Sequence, residues 1–121
     1  LRLEKSISLS SSLNATETLM GNYFISAGIE LQQGAVRTRA ETELRRLVAE
    51  TQHEPGCNFF EIRQNLQDPD KFTLWESWTD KDALAAHFEM PHTKAYLAQN
   101  LTQVSYIEEL GEIGTSEAIE S

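Results

Sequence analysis

Hydrophobic and polar residues alternate along the segment 22–31, and this alternation predicts a β-strand. Its β-branched and aromatic side chains lie two residues apart, as in a strand with one buried face. The residues that share this face are Tyr23, Ile25, Ala27, Ile29 and Leu31. Gly28 interrupts the segment, which indicates a bulge or the close approach of a ligand or a neighbouring backbone. The favoured interpretation is a small residue that faces a packed helix.

Three further strands follow from the same pattern and from the turns between them. Glu54-Pro55-Gly56 predicts a turn, because proline presets φ and glycine supplies the positive φ of a type II turn. In the strand 57–66, one face carries Cys57, Phe59, Glu61 and Arg63, and the other carries Phe60, Ile62 and Gln64. After a turn at residues 68–70, the strand 72–78 carries Phe72, Leu74, Glu76 and Trp78 on one face. These two strands are expected to pair antiparallel, and a last strand is predicted over 104–110.

Two segments have the spacing of amphipathic helices. The first begins after Gly34 and ends near His53, with an apolar stripe on one face and charges on the other. The second begins at residues 79–82, where Thr79 is predicted to cap the helix through its hydroxyl, and continues to about Phe88. Pro91 then breaks the helix, which restarts and continues to about residue 101.

The element order is therefore β-α-β-β-α-β, which predicts an α+β, ferredoxin-like fold. In this fold a four-stranded antiparallel sheet carries both helices on one face. The other face would expose apolar and aromatic area, so we expect a homodimer in which the uncovered faces meet. Residues 22–110 form this domain, with a flexible leader over 1–21 and an acidic flexible tail over 111–121.

Composition excludes several classes of function. The formal net charge of −9 argues against a nucleic-acid partner and against membrane binding through basic residues. No apolar run approaches the ~20 residues that span a bilayer. A single cysteine, Cys57, forms no internal disulfide, and we expect a cytoplasmic protein.

Motifs for cofactors and metals are absent from the sequence. The six glycines form no dinucleotide or phosphate loop. One cysteine and three scattered histidines predict no metal site. His87 and His92 lie five residues apart across a proline, whereas helical metal pairs usually lie four apart.

Five polar or aromatic side chains are of interest for chemistry. His87, in an apolar neighbourhood, is a candidate general base, with a hydrogen bond to a backbone carbonyl as the structural alternative. His92 is interpreted as a structural residue at the helix break. Glu76 is a candidate carboxyl with a raised pKa, and its alternative is a cross-strand ion pair with Arg63. Trp78 and Tyr96 either form walls of a pocket for a flat aromatic ring or belong only to the hydrophobic core.

These residues also carry a resemblance. Three consecutive stretches are similar to the antibiotic biosynthesis monooxygenase family, particularly its quinol monooxygenases. They are EPGC before a strand, then DPD-x-F-x-L-x-E-x-W, then ALAAHFEMPHTKAYL. The resemblance covers residues 54–101, with A-x-x-A-H-x-x-x-P-H-x-K-A-Y as its most specific part. It implies a dimeric α/β barrel with a cavity between the sheet and the helices.

The resemblance also implies an activity. It indicates a monooxygenase of quinols or polycyclic phenols and anthrones, with molecular oxygen as co-substrate and no cofactor. His87 and Glu76 would be proton acceptors or hydrogen-bond partners. Trp78, Tyr96, His92 and Phe60 would contact the aromatic substrate.

Two other functions stay open at this point. A relative with this pattern isomerises a phosphorylated signalling sugar, but only Arg63 and Lys94 are basic residues near the motif. A non-catalytic dimeric ligand-binding or stress-response module is the other. It predicts that His87 is fully bonded to backbone and that no cavity of roughly 300 Å³ or more exists.

Overall fold

The computed structural model describes residues 22–114, which form one sheet covered by helices on one side. The elements are β1 (Tyr23–Leu31), α1 (Arg37–Thr51), β2 (Cys57–Gln64), β3 (Lys71–Trp78), α2 (Lys81–His87), α3 (Pro91–Ala98) and β4 (Thr102–Leu110). The strand order is β2-β3-β1-β4, and every neighbouring pair is antiparallel. The ferredoxin-like prediction is confirmed. The predicted leader, residues 1–21, and residues 115–121 of the predicted tail lie outside the described residues.

The core lies between the sheet and the helices, on the faces that the sequence pattern assigns to it. Its buried apolar residues include Ile29 of β1, Phe72 and Trp78 of β3, Ala40, Leu44 and Leu47 of α1, and Tyr96 of α3. Successive residues of a strand point to opposite faces of the sheet, so every second residue of β1 and of β3 faces the helices and enters this core. Burial of these side chains is what fixes the helices against the sheet.

The sheet contains two irregularities, and the second of them changes a predicted face. The register between β1 and β4 shifts between Gly28 and Ile29. A Cβ atom on Gly28 would lie 2.4 Å from Cε2 of Tyr106, so the neighbour that requires glycine is a strand residue. The bulge interpretation is confirmed, and the favoured one, a packed helix over Gly28, is wrong.

The second irregularity lies at the start of β2. Its register against β3 shifts between Cys57 and Phe59. As a result Cys57 packs against the core, whereas Phe59 contacts Trp75 on the opposite face. The predicted common face of Cys57 and Phe59 is therefore wrong, because a bulge inserts one residue and reverses the alternation.

The two helix starts after β3 have different caps. The Asp80 carboxylate, not the Thr79 hydroxyl, caps α2 by accepting from the backbone N–H of Ala83 at 2.8 Å. Thr79 was predicted to be the cap, but the helix begins at Lys81, so the N-cap position falls on Asp80. The N–H of Thr79 donates to the carbonyl of Gly56. Helix α3 starts with Pro91 at its first turn, after an extended Met90, which confirms the predicted break.

The sheet face opposite the helices carries an aromatic patch, which we define as Phe24, Phe59, Trp75 and Tyr106. The rings of Phe24 and Trp75 stack at 5.7 Å, and Phe59 lies within 6.4 Å of both. Trp75 is 40% exposed and Tyr106 is 44% exposed. Among residues 22–114, no helix combines the length and the apolar character that crossing a bilayer requires.

Substituting Gly56 tests the turn that precedes β2. Gly56 has φ of +86°, and an added Cβ would lie 2.6 Å from Cβ of Ala83. We expect Gly56→Ala to lower the free energy of unfolding by about 2–4 kcal/mol, from backbone strain and overpacking together. Urea denaturation measures this change. Gly34→Ala is the matched control, because Gly34 has φ of +89° with no atom within 4 Å of an added Cβ. Equal losses in both variants would contradict the contact with Ala83.

Candidate functional site

Three separate elements converge on the side chain of Glu54. This residue lies in the turn between α1 and β2, and it is 7% exposed. Its Oε2 atom is 2.8 Å from Nδ1 of His87 and 2.5 Å from Nε2 of His92. We call Glu54, His87 and His92 the Glu54 cluster. One buried carboxylate oxygen thus accepts hydrogen bonds from two imidazoles.

The turn itself directs Glu54 inward. The N–H of Glu54 donates to the carbonyl of Thr51 at 3.0 Å, and the carbonyl of Glu54 accepts from the N–H of Cys57 at 3.1 Å. Gly56 supplies the positive φ that closes this turn, as the sequence predicted. The backbone of Glu54 is therefore held at both ends, and its side chain enters the layer between helices and sheet.

His87 is the last residue of α2 and is buried among aromatic rings. Its ring centroid is 5.1 Å from that of Trp78, 5.5 Å from that of Phe60 and 5.2 Å from that of Phe88. Burial lowers the pKa of His87, and the hydrogen bond to Glu54 opposes this effect. The structural alternative, a hydrogen bond to a backbone carbonyl, is wrong because Nδ1 is bonded to a carboxylate.

His92 lies in the first turn of α3 and joins the cluster from the solvent side. Its Nδ1 atom is 3.9 Å from Oε1 of Glu50. It was predicted to cap backbone groups at the helix break, but its Nε2 is bonded to the side chain of Glu54. The five-residue spacing from His87 does not separate the rings, because the chain turns at Met90 and Pro91 between two short helices.

Glu76 forms a second buried acidic group next to the cluster. Its Oε1 atom accepts from Nε1 of Trp78 at 2.9 Å. Burial raises the pKa of Glu76 to about 7, the hydrogen bond from Trp78 lowers it, and the charge of Glu54 raises it further. The alternative ion pair with Arg63 is wrong, because the guanidinium of Arg63 is exposed and lies 3.7 Å from Glu61. The predicted raised pKa of Glu76 thus agrees with its buried environment.

The aromatic residues predicted to bind substrate lie in or beside the core. Phe60 and Trp78 are fully buried and meet edge to face at 6.4 Å. The Tyr96 hydroxyl is 2.6 Å from Oγ1 of Thr102. Phe60 and Trp78 therefore flank His87, whereas Tyr96 lies one turn beyond His92 on the same face of α3. Burial also raises the pKa of Cys57 to about 11, which leaves its thiol protonated at neutral pH.

Two hollows lie beside the cluster. A cavity of about 70 Å³ is bounded by Leu47, His92 and Tyr96 among others. An open depression of about 550 Å³ is lined by Arg46, Glu50, His53, Pro91, His92 and Ala95. His92 belongs to both, so it is the cluster residue that connects the buried carboxylate with the surface.

Sequence reasoning missed two members of this site. Glu54 was recognised only as the start of a turn, and an acid in a turn is ordinarily solvated. Thr93 was not considered, although its Oγ1 atom lies 3.3 Å from Nδ1 of His87. No spacing along the chain links residue 54 with residues 87 and 92. The only available signal was chemical, since a histidine buried among apolar residues usually requires a hydrogen-bond partner.

The arrangement suits proton transfer. A carboxylate that accepts from Nδ1–H fixes the imidazole in the tautomer whose Nε2 holds a lone pair. Within residues 22–114, Nε2 of His87 has no hydrogen-bond partner. Any imidazolium formed at His87 would face the negative charge of Glu54. The pair therefore has the geometry of a general base with its orienting carboxylate.

Comparison with known proteins agrees with this architecture. The chain matches the family model for antibiotic biosynthesis monooxygenases over residues 23–99. It is 28% identical over 85 residues to the uncharacterized protein YjcS of Bacillus subtilis, covering 70% of this chain and 81% of that protein. The solved structure of protein YjcS superposes with a TM-score of 0.70 at 27% identity, covering 74% of this chain and 97% of that one.

Two further solved structures share the fold. PA3566 from Pseudomonas aeruginosa has a TM-score of 0.69 at 29% identity, covering 78% of this chain and 96% of that one. SnoaB, a cofactor-independent oxygenase from Streptomyces nogalater, has a TM-score of 0.63 at 13% identity, covering 74% and 91%. The family match extends from the first strand to the end of α3 and includes every residue of the Glu54 cluster. The chain is a member of the antibiotic biosynthesis monooxygenase family.

Proposed function

We propose that this protein is a monooxygenase of electron-rich aromatic substrates, of the quinol, polycyclic phenol or anthrone class. The observation that carries the proposal is the buried His87 imidazole, held through Nδ1 by the Glu54 carboxylate at 2.8 Å. Family membership supports a monooxygenase-like activity. The fold is shared with SnoaB, a cofactor-independent oxygenase. We extend the absence of a cofactor to this chain as part of the proposal.

The chemistry begins with removal of a proton from the substrate. His87 Nε2 accepts the proton of a phenolic hydroxyl or an acidic C–H, and Glu54 stabilises the resulting imidazolium. The substrate anion passes one electron to molecular oxygen, and the two radicals combine into a peroxide on the ring carbon. Loss of water leaves a carbonyl there. For an anthrone, CH2 plus O2 becomes C=O plus H2O, so one oxygen atom enters the product.

Glu76 has a supporting role in this scheme. With a pKa of about 7 it is divided between acid and carboxylate at neutral pH, and it accepts a hydrogen bond from the Trp78 indole. The Trp78 ring is 5.1 Å from that of His87. Glu76 therefore orients one wall of the site, and it is the second candidate for the proton acceptor if His87 is not the base.

The two alternative functions receive less support from the site. The binding-module interpretation required His87 to be fully bonded to backbone, whereas its Nδ1 contacts the Glu54 carboxylate. It also required that no cavity of roughly 300 Å³ or more exist; of the two hollows beside the cluster, the cavity has about 70 Å³ and the open depression exceeds that size. The isomerase interpretation requires cations for a phosphate. Arg63 lies beside Glu61 and Lys94 beside Glu89, both with exposed side chains, so neither reaches the Glu54 cluster. Arg46 lines the open depression, but its guanidinium lies 3.9 Å from Glu43 and 3.8 Å from Glu50, which already balance its charge.

We also propose that the protein is a homodimer whose aromatic patches meet. Exposed aromatic rings on one face of a sheet are costly in water and typical of an interface. Trp75 and Phe24 stack at the centre of this surface and would exclude water from it. The edge strand β4 contributes Tyr106 to the patch. Its Val104 and Ile107, which pair with Ile29 and Ala27, are also exposed at this edge.

Oxygen uptake tests the proposed activity. Metal-stripped, flavin-free protein is offered a panel of quinols and anthrones, and an oxygen electrode records uptake. We expect wild-type turnover, a fall of about 10²–10⁴-fold in His87→Ala, and a fall of at least about tenfold in Glu54→Gln. His53→Ala is the control, because it removes an exposed histidine outside the cluster.

The outcomes of this assay separate the proposals. Unchanged uptake in His87→Ala would retain the activity and move the base to Glu76. Failure of wild-type protein to take up oxygen with any member of the panel would count against the oxygenase and favour the other two functions.

The pH dependence of stability tests the environment of Glu76. Its folded pKa of about 7 exceeds its usual 4.5, so the stabilisation from the protonated form is full below 4.5 and is lost as pH rises toward 7. Glu76→Gln stays neutral and keeps an oxygen acceptor for Trp78. From about pH 5 to about pH 8, wild type should lose roughly 2–3 kcal/mol relative to this variant.

Urea denaturation at several pH values measures that difference. The other titratable groups near Glu76 are Glu54, Tyr23 and Cys57. All three are present in both wild type and Glu76→Gln. Glu61→Gln, in an exposed acid on the neighbouring strand, is the matched control and should not reproduce the trend. Parallel stability curves for wild type and Glu76→Gln would show that Glu76 is not held in its acid form.

Oligomeric state tests the proposed dimer. We expect wild type to sediment as a dimer and Trp75→Arg to sediment as a monomer, because the new charge would lie at the centre of the interface. Analytical ultracentrifugation measures both. Leu66→Arg is the control, since Leu66 is 97% exposed in the β2–β3 turn, away from the patch. A Trp75→Arg variant that remains dimeric would place the interface elsewhere.

A further inference from the structure

The Glu54 cluster brings together the donor atoms of a transition-metal site. Oε2 of Glu54, Nδ1 of His87 and Nε2 of His92 all lie within 4.8 Å of one another. Two imidazole nitrogens and one carboxylate oxygen suit Zn²⁺ and its neighbours in the first transition series, and they suit Mg²⁺ or Ca²⁺ poorly. We propose that these three residues bind one divalent transition-metal ion of this class.

The existing distances are close to those of a ligated ion. Metal–ligand bonds of about 2.0–2.2 Å set neighbouring ligand atoms roughly 3–3.5 Å apart. The hydrogen-bonded separations from Oε2 are 2.8 and 2.5 Å, so an ion that replaces the shared protons requires these two separations to expand by less than about 1 Å, and the two imidazole nitrogens lie within 4.8 Å of each other. The ligands come from a turn and two helices, which packing already holds in place.

A second observation favours a ligand at this carboxylate. Oε1 of Glu54 is buried and has no hydrogen-bond partner among residues 22–114. A buried carboxylate oxygen without a donor is costly, and a cation close to the carboxylate would compensate it. The carboxylate therefore has an unused oxygen available for bidentate ligation.

The surroundings of His92 provide an outer partner and an entry. Ligation through Nε2 leaves the ring proton on Nδ1, and the Glu50 carboxylate lies 3.9 Å from that atom. Histidine ligands commonly donate their other N–H to such a carboxylate. His92 also lines the open depression of about 550 Å³, through which an ion and its remaining water ligands would reach the cluster.

The sequence prediction of no metal site compared the spacing of His87 and His92 with that of ligand pairs on one helix, although Pro91 separates the two histidines. A spacing of four residues is needed only when both histidines lie on the same helix face. Here His87 ends α2 and His92 lies in α3, with the break at Met90 and Pro91 between them. The prediction that these histidines form no metal pair therefore loses its physical basis.

Metal binding would exclude the proposed base. Ligation through Nδ1 of His87 places the ring proton on Nε2, and that nitrogen then cannot accept a proton from a substrate. The metal-bound and the proton-accepting forms are thus two tautomers of the same ring. This inhibitory consequence rests on the proposed function, whereas the metal site itself does not.

Titration of the metal-stripped full chain tests the site. We expect calorimetry to show one Zn²⁺ per chain and no binding of Mg²⁺. Imidazole ¹H–¹⁵N spectra should show His87 protonated at Nδ1 before titration and at Nε2 at saturation. His92→Ala and Glu54→Gln should each weaken Zn²⁺ binding at least about tenfold. His53→Ala, which removes a histidine from the rim of the same depression, should leave the affinity unchanged.

Several results would overturn the proposal. These are the absence of saturable Zn²⁺ binding by wild type, retention of Nδ1–H on His87 at saturation, or equal losses in His53→Ala and His92→Ala. If a cluster variant fails to fold by circular dichroism, the wild-type tautomer change still decides the question. Neither readout requires turnover, so a failure of the oxygenase proposal leaves this test intact. If both proposals hold, one equivalent of Zn²⁺ should suppress oxygen uptake.

Discussion

The hydrogen bonds to the buried carboxylate of Glu54 are the contacts on which the site depends. A carboxylate that is almost removed from water requires compensation, and here two imidazoles supply it on a single oxygen. The same contacts fix the ring of His87 and draw the start of α3 toward the turn before β2. Without Glu54, both imidazoles would lose their partner and His87 would lie among aromatic rings with no defined tautomer. Structure and chemistry are therefore coupled through one side chain.

The backbone features around Glu54 exist to hold that side chain in place. Gly56 closes the turn with a positive φ, and Ala83 of α2 lies directly against it. This close contact fixes the position of α2 relative to the turn. The carbonyl of Gly56 accepts from Thr79, which connects the same turn to the end of β3. The elements that carry His87, Glu54 and Glu76 are thus joined through contacts of Gly56. These contacts bring side chains from distant parts of the sequence close together.

The sequence predicted the elements well because each depends on local chemistry. Alternation in β1 and β3, the proline at the start of α3 and the Pro55-Gly56 turn act over a few residues, and the structure contains all of them. What the sequence could not supply depends on three-dimensional packing. The bulge at Cys57 and Phe59 reverses a face without a composition signal. The partner of His87 lies 33 residues away in a turn, and Asp80 rather than Thr79 is the cap because α2 begins at Lys81.

One face of the sheet carries the residues of the candidate site, and the other face carries the residues of the proposed dimer interface. Glu76 and Trp78 point toward the helices and the cluster, whereas Trp75, which directly precedes Glu76 along β3, belongs to the aromatic patch. Because side chains alternate with a period of two, a slip of one residue would bury Trp75 in the site and expose the carboxyl and the indole. The core and the aromatic patch therefore both constrain the register of β3 against its neighbouring strands. A dimer that covers the patch would stabilise not only the interface but also the strand alignment that holds Glu76 and Trp78 beside His87.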